Sequence, residues 1–182
     1  IYSIVKSGIA AALVVTIPRL AMLYGKGKFE QYNELFYRIF NILLMLVLPS
    51  MIGLFVMSKS IILLISGNNY IRSNSSLKIL SIALVFSIFS WLFNDCVLIP
   101  AKKEKITLIA TICSAVINIF LNILLIGEWC ENTAAFSTVI AELLGLVISG
   151  YYSSKIINIR DILKVNDVFS VLIGCVIIYL EC

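Results

Sequence analysis

Long apolar runs, separated by short polar stretches, dominate the hydrophobicity pattern of this chain. Five of the runs are long enough for a helix, at about 1.5 Å per residue, to cross a hydrocarbon core about 30 Å thick, and a sixth is shorter. The runs are continuous instead of alternating, which favours helices over strands. The sequence therefore predicts an all-α integral membrane bundle of about six transmembrane segments. The predicted spans are about 1–23, 35–57, 77–99, 106–126, 134–152 and 168–182.

Composition agrees with a membrane chain. Hydrophobic residues make up 61% and charged residues 13%, with a mean hydropathy of +1.06, whereas a soluble domain is nearer to half apolar and a quarter charged. Histidine is absent, which excludes histidine proton relays, histidine metal sites and histidine-based triads. The five cysteines have no C-x-x-C spacing and are expected to be unpaired. We therefore expect no catalytic residue, no metal site and no cofactor.

Lysines and arginines are distributed unevenly among the polar stretches. The stretches Tyr24–Glu34, Ala101–Lys105 and Ser153–Asp167, which alternation of the spans places on one side, are lysine-rich, whereas the charged residues of the Gly127–Thr133 loop are all acidic. Short cytoplasmic loops carry an excess of basic residues. The lysine-rich side is therefore predicted to face the cytoplasm.

Polar residues inside the fourth and fifth spans are the first candidates for function. Asn118 and Asn122 are four residues apart and share one helix face. Glu142 lies at a similar depth on the next helix, and a short loop makes the two helices antiparallel neighbours. We predict that Asn118 and Glu142 lie on facing helix surfaces, close enough for a hydrogen bond. The asparagines then pair the helices, and Glu142 acts either in proton or cation coupling or as a structural hinge.

Charged residues and prolines on the first two spans supply the other candidates. Lys6 interrupts an apolar run, and a cation at that depth needs water or an anion. Lys6 either faces a central cavity, pairs with Glu142 or extends its ammonium group to the outer interface. Pro18 is expected to kink or loosen the last turns of the first span, and Pro49 lies in the second, so both are candidate hinges.

The helix pair and three upstream features together resemble a known family, the polysaccharide flippases. These proteins are related to the multidrug and toxin extrusion transporters, and the likeness is to their C-terminal half. Gly127 and Thr133 stand where the family usually carries proline and glycine. The matching positions are Asn118, Asn122, Leu125, Ile126, Ala134, Ala135, Thr138 and Glu142, with Ile17-Pro18-Arg19, Pro49 and Ser66–Tyr70 upstream.

The resemblance implies one lobe of a two-lobed transporter in the bacterial cytoplasmic membrane, with an N-terminal lobe expected upstream in the same chain. It implies a lipid-linked oligosaccharide substrate, flipped to the outer leaflet for capsule or O-antigen (lipopolysaccharide) biosynthesis. Because that substrate carries a pyrophosphate, Lys6 is predicted to contact its phosphates. Arg38 and Asn41 are further substrate-binding candidates, although Arg38 is also suited to be an interfacial anchor. The expected partners are membrane lipids and the lipid-linked oligosaccharide, with no nucleic acid.

Three other functions stay open at this point. A drug/cation antiporter of the related family should have a cavity rich in acids and aromatic rings. A membrane-embedded polysaccharide polymerase or ligase should have a large outer loop with catalytic polar residues, but the longest outer stretch, Ser58–Ser76, lacks His, Asp and Glu. A non-enzyme is therefore expected. A purely structural subunit would lose no transport when Lys6 and Glu142 are neutralised.

Overall fold

The regular structure of this chain is helical throughout the residues that a computed structural model describes, 2–129 and 132–157. Four stretches are long and apolar enough to cross a membrane, namely Phe29–Val56, Asn68–Leu98, Glu104–Leu125 and Thr133–Ser153. These findings confirm the all-α membrane bundle. The helices are α1 (Tyr2–Val14), α2 (Ile17–Gly25), α3 (Phe29–Val56), α4 (Ser58–Ser66), α5 (Asn74–Phe93), α6 (Glu104–Trp129) and α7 (Thr133–Ser153).

The first predicted span is divided into two helices. A break at 15–16 separates α1, of 13 residues, from α2, of 9 residues, and neither is long enough to cross the hydrocarbon core by itself. Pro18 follows this break by two residues, so the kink or loosening predicted for it lies just before it. It stands in the first turn of α2, where the missing N–H has no partner to lose and the fixed φ suits a helix start.

The second span begins earlier than predicted and continues through its proline. Helix α3 starts at Phe29 rather than Leu35 and runs for 28 residues, about 42 Å at 1.5 Å per residue, so its length exceeds the hydrocarbon core. Pro49 lies inside the helix, which breaks only after Val56. Beside it, the Ser50 hydroxyl donates to the Leu46 carbonyl at 2.7 Å, a side-chain bond that locally competes with the helix ladder.

The stretch treated as a long outer loop is mostly helical. Helix α4 follows α3 directly, after a break at Met57. Gly67, with φ of 79°, ends it in a conformation that favours glycine. A 3-10 turn at Asn68–Ser73 then leads into α5, so little of this stretch is free loop.

Helix α5 forms the centre of the described bundle. It packs against α1, α3 and α7, and Leu84, Ile88 and Leu92 on it are fully buried. Tyr32 and Phe36 of α3 pack on the same core. By contrast, α6 contacts mainly α7 and exposes apolar side chains along its length, as expected of a helix that faces lipid.

Small residues allow α5, α6 and α7 to approach closely. Residues Ser137, Ala141, Gly145 and Ser149 recur every four positions on α7 and are all buried. A Cβ atom on Gly145 would lie 3.0 Å from the Ser114 hydroxyl of α6 and 3.3 Å from the Ser90 hydroxyl of α5. Glycine is therefore the residue that fits where the three helices meet.

The end of α5 has a feature that the sequence did not predict. Pro100 lacks the N–H that would bond to the Cys96 carbonyl, four residues earlier. The helix ends in a π turn at 94–98, in which the Ile99 N–H donates to the Asn94 carbonyl at 3.0 Å. The Tyr32 hydroxyl of α3 donates to the Cys96 carbonyl at 2.7 Å. A buried carbonyl that proline would leave unpaired is thus satisfied from another helix.

The turns after α2 and α5 and the end of α7 lie at one end of the bundle, here called the basic end. The Tyr32–Cys96 bond and a bond from the Ser149 hydroxyl to the Asn94 amide oxygen, at 2.9 Å, join these elements there. Its lysines are Lys26, Lys28, Lys102, Lys103, Lys105 and Lys155. At the opposite end, the Ser76 hydroxyl donates to Asn132 at 3.0 Å. The predicted sixth span, 168–182, lies outside the described residues, as do positions 158–167 of the stretch before it.

Candidate functional site

A cleft of about 810 Å³ opens between α1, α5, α6 and α7. Helix α1 packs on α5 and α3, while α6 packs on α7, and α7 packs on α5. Helix α1 therefore forms one side of the cleft, α6 and α7 form the other, and α5 lies between them. All four helices contribute polar side chains to the lining.

Hydroxyl and amide groups dominate the polar lining of this cleft. Within the described part of the chain, Trp91 is its one aromatic side chain, and Lys6 and Glu142 are its charged ones. The remaining polar groups are the hydroxyls of Ser3, Ser7, Ser87, Ser90, Thr111, Ser114 and Thr138 and the amides of Asn94 and Asn118. Such a lining offers many neutral donors and acceptors, and two opposite charges.

The two charges form an ion pair across the cleft. The Lys6 ammonium lies 3.5 Å from Oε1 of Glu142, which joins α1 to α7. The two side chains are 34% and 28% exposed, so water in the cleft still reaches both of them. Of the alternatives for Lys6, the structure shows the pairing with Glu142. Each group neutralises a charge that would be costly at membrane depth.

Asn118 and Glu142 line the same cleft, as predicted for residues on facing helix surfaces, but the structure records no hydrogen bond between them. Nδ2 of Asn122 donates to the Asn118 amide oxygen at 2.6 Å and to its backbone carbonyl at 2.9 Å. Asn122 is one turn away on the same helix and thus always within reach, whereas Glu142 has a cation as its partner, and a charge-assisted bond is stronger than a neutral one.

The other substrate-binding candidates lie outside this cleft. Arg38 forms an ion pair with Glu34, one turn earlier on α3, at 2.6 Å, and both side chains are more than half exposed. Asn41, also on α3, is half-buried and does not line the cleft. The structure therefore does not bring Arg38 and Asn41 together with Lys6. Pro18 and Pro49 are likewise outside the lining, so their hinge role stays a prediction.

Sequence reasoning missed the contribution of α5. Ser87, Ser90, Trp91 and Asn94 all line the cleft. Their spacing of three and four residues places them on one helix face, a signal that was present in the sequence. In the described part of the chain, no group of three or more His, Cys, Asp or Glu residues is arranged to hold a metal ion.

Comparison with known proteins gives one family match. The family model MatE matches residues 1–124 of the 182. No curated protein and no solved structure matches the chain. The match covers α1 to α5 and most of α6, and so includes three of the four helices that line the cleft. The helices that can cross a membrane and this match together make the chain a multi-pass membrane protein. The chain belongs to the MatE family, whose members are membrane transporters.

Proposed function

We propose that this MatE chain flips a lipid-linked oligosaccharide across the bacterial cytoplasmic membrane, and that the described bundle is one lobe of a two-lobed transporter. The observation that carries the proposal is the lining of the cleft. Seven hydroxyls and two amides face it, which suits the many hydroxyl groups of a sugar. Its one carboxylate already has a cation as its partner.

The antiporter of drugs or other cations is the second candidate, since its relatives share the family. A lipophilic cation is held by aromatic faces and by an unpaired carboxylate. In the residues that the structure describes, the cleft offers Trp91 alone among aromatic rings, and Glu142 is engaged with Lys6. The polymerase or ligase alternative has no support from the family, whose members are transporters.

In this proposal Lys6 meets the substrate's phosphates by exchanging partners. The pair with Glu142 is long for a charged contact, at 3.5 Å, and both groups are about one-third exposed. Good ammonium–carboxylate bonds are about 2.7–2.9 Å, so the pair is loose. A diphosphate offers more acceptor oxygens and more charge than one carboxylate. An anionic substrate that reaches Lys6 therefore competes well with Glu142.

Reconstituted full-length protein tests the substrate class. We expect vesicles that contain it to move a fluorescent polyprenyl diphosphoryl oligosaccharide between leaflets, measured by quenching from outside, and to leave a cationic dye such as ethidium where it is. Empty vesicles and the Lys6→Glu variant are the controls, both expected to stay at background. Movement of ethidium without movement of the lipid would favour the antiporter instead.

The basic end is proposed to face the cytoplasm, because lysines accumulate on the cytoplasmic side of membrane proteins. Single cysteines, introduced at Lys103 and at Asn132 in a cysteine-free background, report the sidedness. In intact cells an impermeant thiol reagent should label the cysteine at 132 and spare the one at 103. The reverse pattern would overturn the orientation.

A further inference from the structure

Asn94 presents hydrogen-bond donors to the cleft. Its amide oxygen accepts a hydrogen bond from the Ser149 hydroxyl at 2.9 Å, which leaves its two N–H donors outside that bond. The amide nitrogen has no hydrogen-bond partner among the described residues, and the side chain lines the cleft. Two N–H donors are therefore directed at a position where a ligand can lie.

This amide is well separated from the charged pair. Ser149 follows Glu142 by seven residues on α7, which is two helix turns or about 10 Å. Because Asn94 bonds to Ser149, it lies that far from Glu142 toward the basic end. The cleft thus has a charged region at Lys6 and Glu142 and a neutral region at Asn94.

An indole ring completes the neutral region. Trp91 lies one turn before Asn94 on α5 and lines the same cleft, with the Ser90 hydroxyl beside it. Aromatic faces stack on the C–H faces of sugar rings, while amide and hydroxyl groups bond to sugar hydroxyls. The combination of one ring and convergent neutral donors suits a single uncharged sugar unit.

The backbone under Asn94 is held from outside the cleft. The Asn94 carbonyl accepts the Ile99 N–H of the π turn, and the Tyr32 hydroxyl donates to the Cys96 carbonyl within that turn. Tyr32 is 1% exposed and does not line the cleft. It belongs to the buried core on which Trp91 packs, and its hydroxyl is bonded to the π turn that carries Asn94. π turns of this kind are frequent at functional sites.

We propose that Trp91 and Asn94 form a sugar-binding subsite at the end of the cleft nearest the basic end, and that Tyr32 is its positioning residue. This inference rests on the proposed flippase function and adds a place for the sugar, separate from the place for the phosphates. Asn94 donates to a sugar hydroxyl or carbonyl oxygen, Trp91 covers one ring face, and Lys6 receives the diphosphate about two helix turns away.

Two probes that differ only in the sugar test the subsite. Full-length protein in nanodiscs is titrated with polyprenyl diphosphate and with polyprenyl diphosphoryl-N-acetylglucosamine. We expect Asn94→Ala to weaken binding of the sugar-bearing probe about five- to tenfold, as for one lost hydrogen bond. The affinity for the sugar-free probe should stay unchanged. Asn94→Asp keeps the acceptor for Ser149 and removes the donors, but its added charge repels both diphosphate probes. If the alanine variant folds poorly, the subsite predicts that Asn94→Asp weakens binding of the sugar-bearing probe more than binding of the sugar-free one.

Tyr32→Phe separates positioning from general stability. It is expected to weaken binding of the sugar-bearing probe about two- to fivefold and to leave binding of the sugar-free probe unchanged. General destabilisation of the protein would not produce this selectivity. Tyr24→Phe is the matched control, since its ring lies 5.3 Å from that of Tyr32 and its change leaves the Tyr32–Cys96 bond in place. Lys6→Ala should weaken both probes alike.

The outcomes distinguish the two proposals. If the parent protein binds neither probe, the flippase function fails, and the subsite fails with it. If the parent binds both probes but Asn94→Ala and Asn94→Asp change them equally or leave both unchanged, the subsite is wrong while the flippase function stands. An equal loss of both probes in Tyr32→Phe would remove Tyr32 as a positioning residue.

Discussion

Lys6→Glu is expected to destabilise the folded protein and to stop transport, and the exchanged pair Lys6→Glu with Glu142→Lys is expected to recover most of the stability. In the single variant two carboxylates face each other across the cleft from α1 and α7. An unpaired charge at membrane depth costs about 3 kcal/mol. The cleft exposes about one-third of each side chain, so we expect a loss on the order of 1–3 kcal/mol.

The pair on α3 provides the control for this prediction. Arg38 and Glu34 are closer, at 2.6 Å, but 72% and 65% exposed, and are only one helix turn apart. Exposed pairs at this spacing contribute about 0.3–0.5 kcal/mol. Arg38→Glu should therefore lower the stability of the protein less than Lys6→Glu does. The ion-pair distances alone would predict the opposite, since the Arg38–Glu34 pair is the shorter one. Thermal unfolding followed by size-exclusion chromatography compares the variants, with transport measured on those that remain folded.

The exchanged variant decides whether the pair matters as a pair. Recovery of the unfolding midpoint in the double variant, beyond either single change, shows that Lys6 and Glu142 act on each other. A double variant as unstable as the worse single one would mean that each residue has a separate role. Lys6→Glu that transports like the parent would contradict both the pairing and the phosphate contact.

The helices were predictable because membrane thickness sets their length. Continuous apolar runs located α6 and α7 to within three residues at each end, whereas α3 begins six residues before the predicted span. The break in the first span was less accessible. Pro18 indicates a kink or a loosened turn, but not the exact residues at which α1 ends and α2 begins.

The pairing of polar residues depended on what the sequence left open. Lys6 and Glu142 could both be singled out as candidate site residues, since charges in apolar spans are costly. Their equal depth in the membrane could not be predicted, because it depends on where α1 lies. Asn118 shares a helix face with Asn122, which donates to its amide oxygen, and this contact at four-residue spacing was readable from the sequence. The Arg38–Glu34 pair, at four-residue spacing, was readable from the sequence and argued against a substrate role for Arg38.

The bond between Tyr32 and the π turn was beyond sequence reasoning. Pro100 predicts only that a carbonyl loses its donor, and the donor that replaces it comes from a residue 64 positions away. Tyr32→Phe keeps the ring and its stacking on Phe36 and removes only the donor to the Cys96 carbonyl.

Tyr32→Phe is expected to lower stability by about 1–3 kcal/mol, because it leaves a buried carbonyl without a partner. The Cys96 residue is fully buried, so water does not readily replace the lost bond. The measurement is the unfolding midpoint in mild detergent, followed by tryptophan fluorescence. Tyr24→Phe, which removes a nearby hydroxyl that does not bond to Cys96, should leave the midpoint nearly unchanged.

Pro100→Ala tests the physical cause. Alanine restores the N–H that proline lacks, and a helix can then satisfy the Cys96 carbonyl from within. The cost of Tyr32→Phe should therefore shrink in the Pro100→Ala background, which gives a coupling of about 0.5–3 kcal/mol between positions that are linked through one carbonyl. An unchanged cost in both backgrounds would mean that the Tyr32 hydroxyl stabilises the bundle in some way other than by replacing the donor that Pro100 removes.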